Sequence, residues 1–204
     1  MNVLSANANP TKVAFWLLAY ILFSPNLMDI IRKEISPSIR KGKIENLNHL
    51  LDQCSVLNSA FDEVLRLTSA ASSARNVDSP TIVGYKTLRA GAKLLLPYRQ
   101  LHLDEDTYGS DVLQFDAERF SKNKTLSRSS SFKPWGGGIT LCSGRFLARR
   151  QVLTFAALAL HQFDPALENP KQAFPRLDEK KATLGVMDPM VGDDVLVSLK
   201  PRIH

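Results

Sequence analysis

The spacing of apolar positions divides the chain into elements. Residues 13–23, Val-Ala-Phe-Trp-Leu-Leu-Ala-Tyr-Ile-Leu-Phe, are apolar without interruption, the pattern of a helix buried on every side. Ser24-Pro25 breaks it and predicts a second helix over 26–35. Residues 36–48 are polar and cut by Pro37 and Gly42, which predicts a surface linker or a short helix. Leu50, Leu51, Cys54, Leu57, Phe61, Val64 and Leu65 then recur at helical intervals, predicting one helix over 50–68 with Cys54 in its core stripe. Residues 81–88 and 91–98 are rich in β-branched and apolar side chains and predict two strands joined by a short turn. An apolar helix follows over 145–161. Beyond it, 164–181 predicts a loop carrying Pro165, Pro170 and Pro175, and 183–187 with 195–199 predict a hairpin.

Composition adds bounds. The chain has 204 residues, 44% hydrophobic and 23% charged, an ordinary globular balance for about one domain. The apolar run at 13–23 is shorter than the ~20 residues that cross a bilayer. Lys12 ahead of it suits a secretory signal, but Ser24-Pro25-Asn26 offers no small-x-small cleavage site. Two cysteines, Cys54 and Cys142, make no disulfide framework and point to a reducing compartment. The net charge of +6 gathers around 122–150, at Lys122, Lys124, Arg128, Lys133, Arg145, Arg149 and Arg150. A solvated basic face explains this, and no groove-reading motif or aromatic ladder supports nucleic acid.

The chemistry concentrates in 132–148, Phe-Lys-Pro-Trp-Gly-Gly-Gly-Ile-Thr-Leu-Cys-Ser-Gly-Arg-Phe-Leu-Ala. Gly136, Gly137 and Gly138 let backbone pass close to something bulky, and Gly144 lets the chain turn directly after Cys142. The helix beginning at Arg145 aims its N-terminal N–H groups at the sulfur, an arrangement that suits a metal-bound thiolate. A phosphate-cradling loop would need Gly-x-x-x-x-Gly-Lys-Ser/Thr, which is absent. A cysteine hydrolase would need a fixed base, and nothing selects among His49, His102, His161 and His204. A purely structural cysteine leaves the three glycines without a reason.

This loop resembles the haem-binding loop of the cytochrome P-450 family, Phe-x-x-Gly-x-Arg-x-Cys-x-Gly-x-x-x-Ala, on Gly138, Cys142, Gly144 and Ala148. Trp135 replaces the phenylalanine and keeps an aromatic wall, while Thr140 replaces the cation that meets a haem propionate. Two further motifs stand in the family's order. Glu63-Val-Leu-Arg66 resembles its Glu-x-x-Arg helix, and Asp116-Ala-Glu-Arg119-Phe120 its Pro-Glu-Arg-Phe segment, with Ala117 for the proline. The resemblance implies a mainly α fold with small β-sheets, the stretch running from the distal haem helix through the cysteine loop. It implies that residues 1–204 are a partial domain whose N-terminal half is missing, without a membrane anchor, in a family whose complete members sit at the endoplasmic reticulum.

The same resemblance assigns roles. Cys142 becomes the axial ligand of haem b (iron protoporphyrin IX). Glu63, Arg66 and Arg119 become a buried structural triad. Carried back from Pro25, Asn9 takes the place of the oxygen-activating threonine and Ala8 that of its acidic neighbour. Asn9 with Pro10, Phe15 and Trp16, and Arg75 nine residues after Arg66, are similar to the sterol 7-hydroxylase and prostacyclin synthase branch, though Pro10 sits two places earlier than in that branch. Arg75 then becomes the propionate's cationic partner, with a surface arginine as its alternative. Asn9 as an N-cap of a helix starting near Pro10 is the alternative at that position. His102 matches a histidine used structurally, with a propionate as its second use. Leu184, Val186 and Met187 become substrate contacts. The basic face becomes the dock of an NADPH-dependent flavoprotein reductase. The expected activity is insertion of one oxygen atom from O₂ into an apolar, sterol- or lipid-like molecule. Isomerisation of a peroxide and a non-catalytic fragment stay open.

Overall fold

The computed structural model describes residues 3–181, 183 and 185–202, and the side chains of all of these but 3–7 and 140. Helices α1 (Val3–Phe23), α2 (Leu27–Ile35), α4 (Ser55–Thr68) and α8 (Arg145–Gln162) enclose the main core. α1 is buried along Val13, Trp16, Leu17, Ala19 and Ile21, none more than 3% exposed. It begins well before the apolar run, so Asn9 and Pro10 lie inside the helix and Asn9 is not its N-cap. Proline's missing N–H leaves one carbonyl of that turn without its usual donor. α2 buries Leu27, Ile31 and Ile35, four residues apart along one face.

The single helix expected over 50–68 is two, α3 (Leu47–Asp52) and α4, broken at Gln53-Cys54. Asn46 caps α3 by accepting the His49 N–H at 2.9 Å. The Glu34 carboxylate, from the end of α2, accepts the N–H groups of Val56 and Leu57 at 3.0–3.1 Å and so caps α4 from another element. Cys54 between the helices is fully buried, as its stripe predicts. The linker expected over 36–48 contains a small hairpin, β1 (Ile39–Arg40) and β2 (Lys43–Ile44), turning on Lys41 and Gly42 with φ of 48° and 70°.

Among the described residues the sheets are two-stranded and antiparallel. β3 (Ser72–Asn76) pairs with β6 (Lys93–Pro97), so the stretch at 91–98 does not pair with 81–88. That earlier stretch is itself a hairpin, β4 (Thr81–Val83) and β5 (Lys86–Leu88), because Gly84 supplies a turn at φ 60°. The C-terminal expectation also changes. β7 (Phe163–Leu167) begins as α8 ends and pairs with β8 (Val197–Pro201), whereas a loop was expected there. In two-stranded sheets every strand is an edge, which tolerates Pro165 and Pro201. The hairpin expected between 183–187 and 195–199 does not form, and Val186 bridges Ser69 after α4 instead. Short helices α5 (Tyr98–His102), α6 (Glu105–Tyr108) and α7 (Arg119–Lys122) complete the mainly α fold with small sheets. Among the described residues no single helix is long and apolar enough to cross a membrane.

Candidate active site

The cysteine loop folds back on itself before α8 begins. Gly136 and Gly138 take φ of 79° and 61°, a region closed to most side chains. The Cys142 N–H donates to the Trp135 carbonyl at 3.0 Å, and the Arg145 guanidinium donates to the Cys142 carbonyl at 2.9 Å. The Trp135 ring stacks on Phe61 of α4, centroids 6.4 Å apart. Cys142 is left exposed at the head of α8.

Cys142 lines a cavity of about 440 Å³. Gly144, Ala148 and Val152 continue the cavity wall along α8, and Phe61 and Leu65 of α4 contribute apolar side chains. Asn9 and Val13 line it from α1, Ser72, Ser73 and Ala74 from β3, and Val186 from the C-terminal segment. Trp135 also lines it, so Asn9, Trp135, Cys142, Gly144, Ala148 and Val186 share one lining. Gly138, Arg75, His102 and Met187 are not in the lining, and Leu184 lies outside the described residues. Met187 is 2% exposed and packed into the protein. Arg75 donates to Ser73 Oγ at 2.8 Å and to the Ala74 carbonyl at 2.9 Å, just behind the lining strand.

The wall fits a flat macrocyclic metal complex. Among the described residues no group of three His, Cys, Asp or Glu side chains could hold a metal ion. A metal in this cavity would therefore take Cys142 as its protein ligand and bring its remaining ligands with it, as a tetrapyrrole does. Small residues at 144 and 148 leave room beside the sulfur, and apolar walls suit a large aromatic plane.

Behind the loop, Glu63, Arg66 and Arg119 meet. Arg66 makes a bidentate pair with Glu63 at 2.7 and 2.8 Å, and Arg119 Nε reaches the same carboxylate at 3.0 Å. Glu63 and Arg66 are fully buried, and Asp111 balances the second guanidinium at 3.0 Å. The Arg66 guanidinium also donates to the carbonyls of His102 and Val112 at 2.9 and 2.7 Å. His102 Nε2 in turn accepts the Lys133 N–H at 2.9 Å, so the buried network reaches the start of the cysteine loop. Burial, then the charges of Arg66 and Arg99, push the His102 pKa down to about 4.

The basic face is less uniform than the sequence suggests. Arg149 turns inward to Asp62 and Asn58, both at 2.8 Å, with its guanidinium 4.9 Å over the Phe61 ring. Lys122 pairs with Glu118 at 3.1 Å and Asp116 at 3.4 Å. Among the described residues Lys124, Arg128, Lys133 and Arg150 have no carboxylate within 4.0 Å. What the sequence did not show is the contact across the top of the cavity, where Asn9 Oδ1 accepts the Val186 N–H at 3.2 Å. No local pattern encodes a bond across 177 residues.

A model of the cytochrome P-450 family matches residues 9–192. Among curated proteins, 5-beta-cholestane-3-alpha,7-alpha-diol 12-alpha-hydroxylase of Sus scrofa is 27% identical over 93% of this chain and 42% of its own length. The 7-alpha-hydroxycholest-4-en-3-one 12-alpha-hydroxylase of Homo sapiens is 27% identical over 93% of the chain and 42% of its own length. Cytochrome P-450 7A1 of Sus scrofa is 30% identical over 91% of the chain and 41% of its own length. The chain spans about two fifths of the length of these relatives. With three motifs in the family's order, a thiol exposed at the head of α8 and a match over nearly the whole sequence, the chain belongs to the cytochrome P-450 family, in the branch of the sterol hydroxylases.

Proposed function

We propose that this protein is a haem-thiolate monooxygenase that inserts one oxygen atom from O₂ into a sterol- or lipid-like substrate, with haem b carried on Cys142. The observation that carries the reading is an exposed Cys142 in the lining of a largely apolar cavity with Asn9 and Val186 among its walls. When bound, haem supplies an iron centre whose thiolate ligand favours O–O cleavage. Cys142 would hold the iron, and Trp135, packed on Phe61, would offer the macrocycle an aromatic wall. Arg75, beside Ser73 on β3, is our choice for the propionate's cation, with Tyr98 and Ser73 as polar neighbours in the lining. The Asn9 amide, its oxygen engaged by Val186, keeps Nδ2 to orient a water by donating to it. Val186 and Val13 exclude water and give the substrate an apolar surface. Lys124, Arg128, Lys133 and Arg150 would meet an acidic NADPH-dependent flavoprotein reductase, at the endoplasmic reticulum membrane.

The similarity to proteins named as sterol 12-alpha-hydroxylases and cytochrome P-450 7A1 supports a sterol-like substrate. One observation favours a second reading. Asn9 offers neither hydroxyl nor acid and has its oxygen occupied, which suits isomerisation of a peroxide, a reaction that needs no delivered protons.

The test is spectroscopic first. The reduced full chain under CO should give a strongly red-shifted Soret band that Cys142→Ser abolishes, because the serine oxygen is a far poorer ligand. An unchanged band in the variant removes Cys142 from the site. Sterol product that requires NADPH and reductase supports the monooxygenase, and product formed from a peroxide without reductase supports the isomerase.

A further inference from the structure

The segment 185–188 forms the cavity wall farthest along the sequence from α1, yet α1 holds its backbone at three places. Asn9 Oδ1 accepts the Val186 N–H at 3.2 Å, Lys12 Nζ donates to the Val186 carbonyl at 3.3 Å, and the buried Trp16 Nε1–H donates to the Met187 carbonyl at 2.9 Å. Residues 9, 12 and 16 lie on one helical face, so a single stripe grips three backbone groups of two consecutive residues. On the other side the same segment is bonded to the end of α4 and the residues that follow it, through Ala70 N–H to the Gly185 carbonyl at 2.8 Å and Met187 N–H to the Thr68 carbonyl at 2.9 Å. Gly185 touches Asn9 so closely that a Cβ there would lie 2.5, 2.6 and 2.8 Å from the oxygen, nitrogen and carbon of its amide. Its φ is not in the left-handed region, so backbone conformation does not call for glycine.

We infer that Asn9 is a positioning residue that sets which substrates the cavity accepts, by clamping Gly185 and Val186 through its amide, and that residue 185 is glycine because of Asn9. A backbone N–H can be accepted only by the amide oxygen, which fixes the orientation of the Asn9 side chain. Val186, 4% exposed and in the lining, is carried by the clamp. Moving this backbone by a fraction of an ångström moves the Val186 methyl groups with it. The assignment of substrate selection rests on the function proposed above; the clamp itself does not.

The experiment is a double-mutant cycle in the full chain, read by hydrogen exchange over 185–188 and by binding of dehydroergosterol, a sterol that reports through its own fluorescence. Asn9→Ala should raise exchange at Val186 by roughly fivefold to tenfold, the loss of about one hydrogen bond. Asn9→Asp, which retains an acceptor, should keep the protection. Gly185→Ala should open the segment when Asn9 is present and add nothing in the Asn9→Ala background. Sterol affinity should fall with Asn9→Ala and Gly185→Ala and survive Asn9→Asp. Equal damage by Gly185→Ala in both backgrounds, including failure to fold in both, overturns the pairing. Unchanged exchange in Asn9→Ala overturns the clamp, and faster exchange with unchanged sterol affinity overturns substrate selection. Exchange is read whether or not haem is bound, so failure of the clamp is separate from failure of the proposed function.

Discussion

His102 holds its imidazole where solvent does not reach, with Nε2 accepting the Lys133 N–H and Nδ1 without a hydrogen-bond partner among the described residues. Its folded pKa of about 4 lies below the ordinary 6.5, so the unfolded chain takes up the proton first as pH falls. The stability due to this group is fully present above pH 6.5 and is lost as pH falls towards about 4, in total on the order of 3 kcal/mol. His102→Gln, which can still accept the Lys133 N–H but does not titrate, should flatten the fall of melting temperature across that window. A slope as steep as that of the unaltered chain would assign the acid sensitivity to other groups. The resemblance marked His102 as a structural histidine, but not what it holds. Only the fold reveals that it relays the Glu63–Arg66 network to the cysteine loop.

Among the elements, α4 shows what sequence periodicity misses. Its stripe of apolar residues runs unbroken through Cys54, so the pattern predicts one helix. The break is made by Glu34, 22 residues from Val56, whose carboxylate takes two N–H groups at the start of α4 where the helix dipole also favours a negative charge. Glu34→Ala should cost about 1 kcal/mol, or more since two donors lose their acceptor, measured by urea unfolding. An unchanged midpoint would mean that water replaces the carboxylate fully. Helices set by local apolar runs, at 13–23 and 145–161, and the glycine-rich loop that places Cys142 were legible because their signals are local. β7 was hidden behind Pro165. The inward turn of Arg149 was hidden because Asp62, its partner, is 87 residues away. Val186 was named by resemblance as a substrate contact, but the residues at the end of α4 that hold its segment, Thr68 to Ala70, were not.

At the scale of the whole molecule, one side of α8 is packed and the other is not. Val152, Leu153, Ala156, Ala157 and Leu160 are at most 2% exposed, while Leu147 and Phe155, on the other side of the helix, are 49% and 54% exposed. Apolar side chains gathered on one exposed face drive association. The 204-residue chain studied alone should therefore self-associate in light scattering, and Leu147→Gln with Phe155→Gln should shift it towards monomer without lowering its melting temperature. Persistent association in that variant would place the contact elsewhere. The clamp between α1 and 185–188 works over a different distance. A ribosome releases Asn9, Lys12 and Trp16 early, and their acceptors and donors at Val186 and Met187 are translated 171 to 177 residues later. Throughout that interval the indole of Trp16 has no carbonyl to meet and the cavity lacks a wall. A nascent chain stalled short of residue 186 therefore presents an open apolar trough, the kind of surface that chaperones hold.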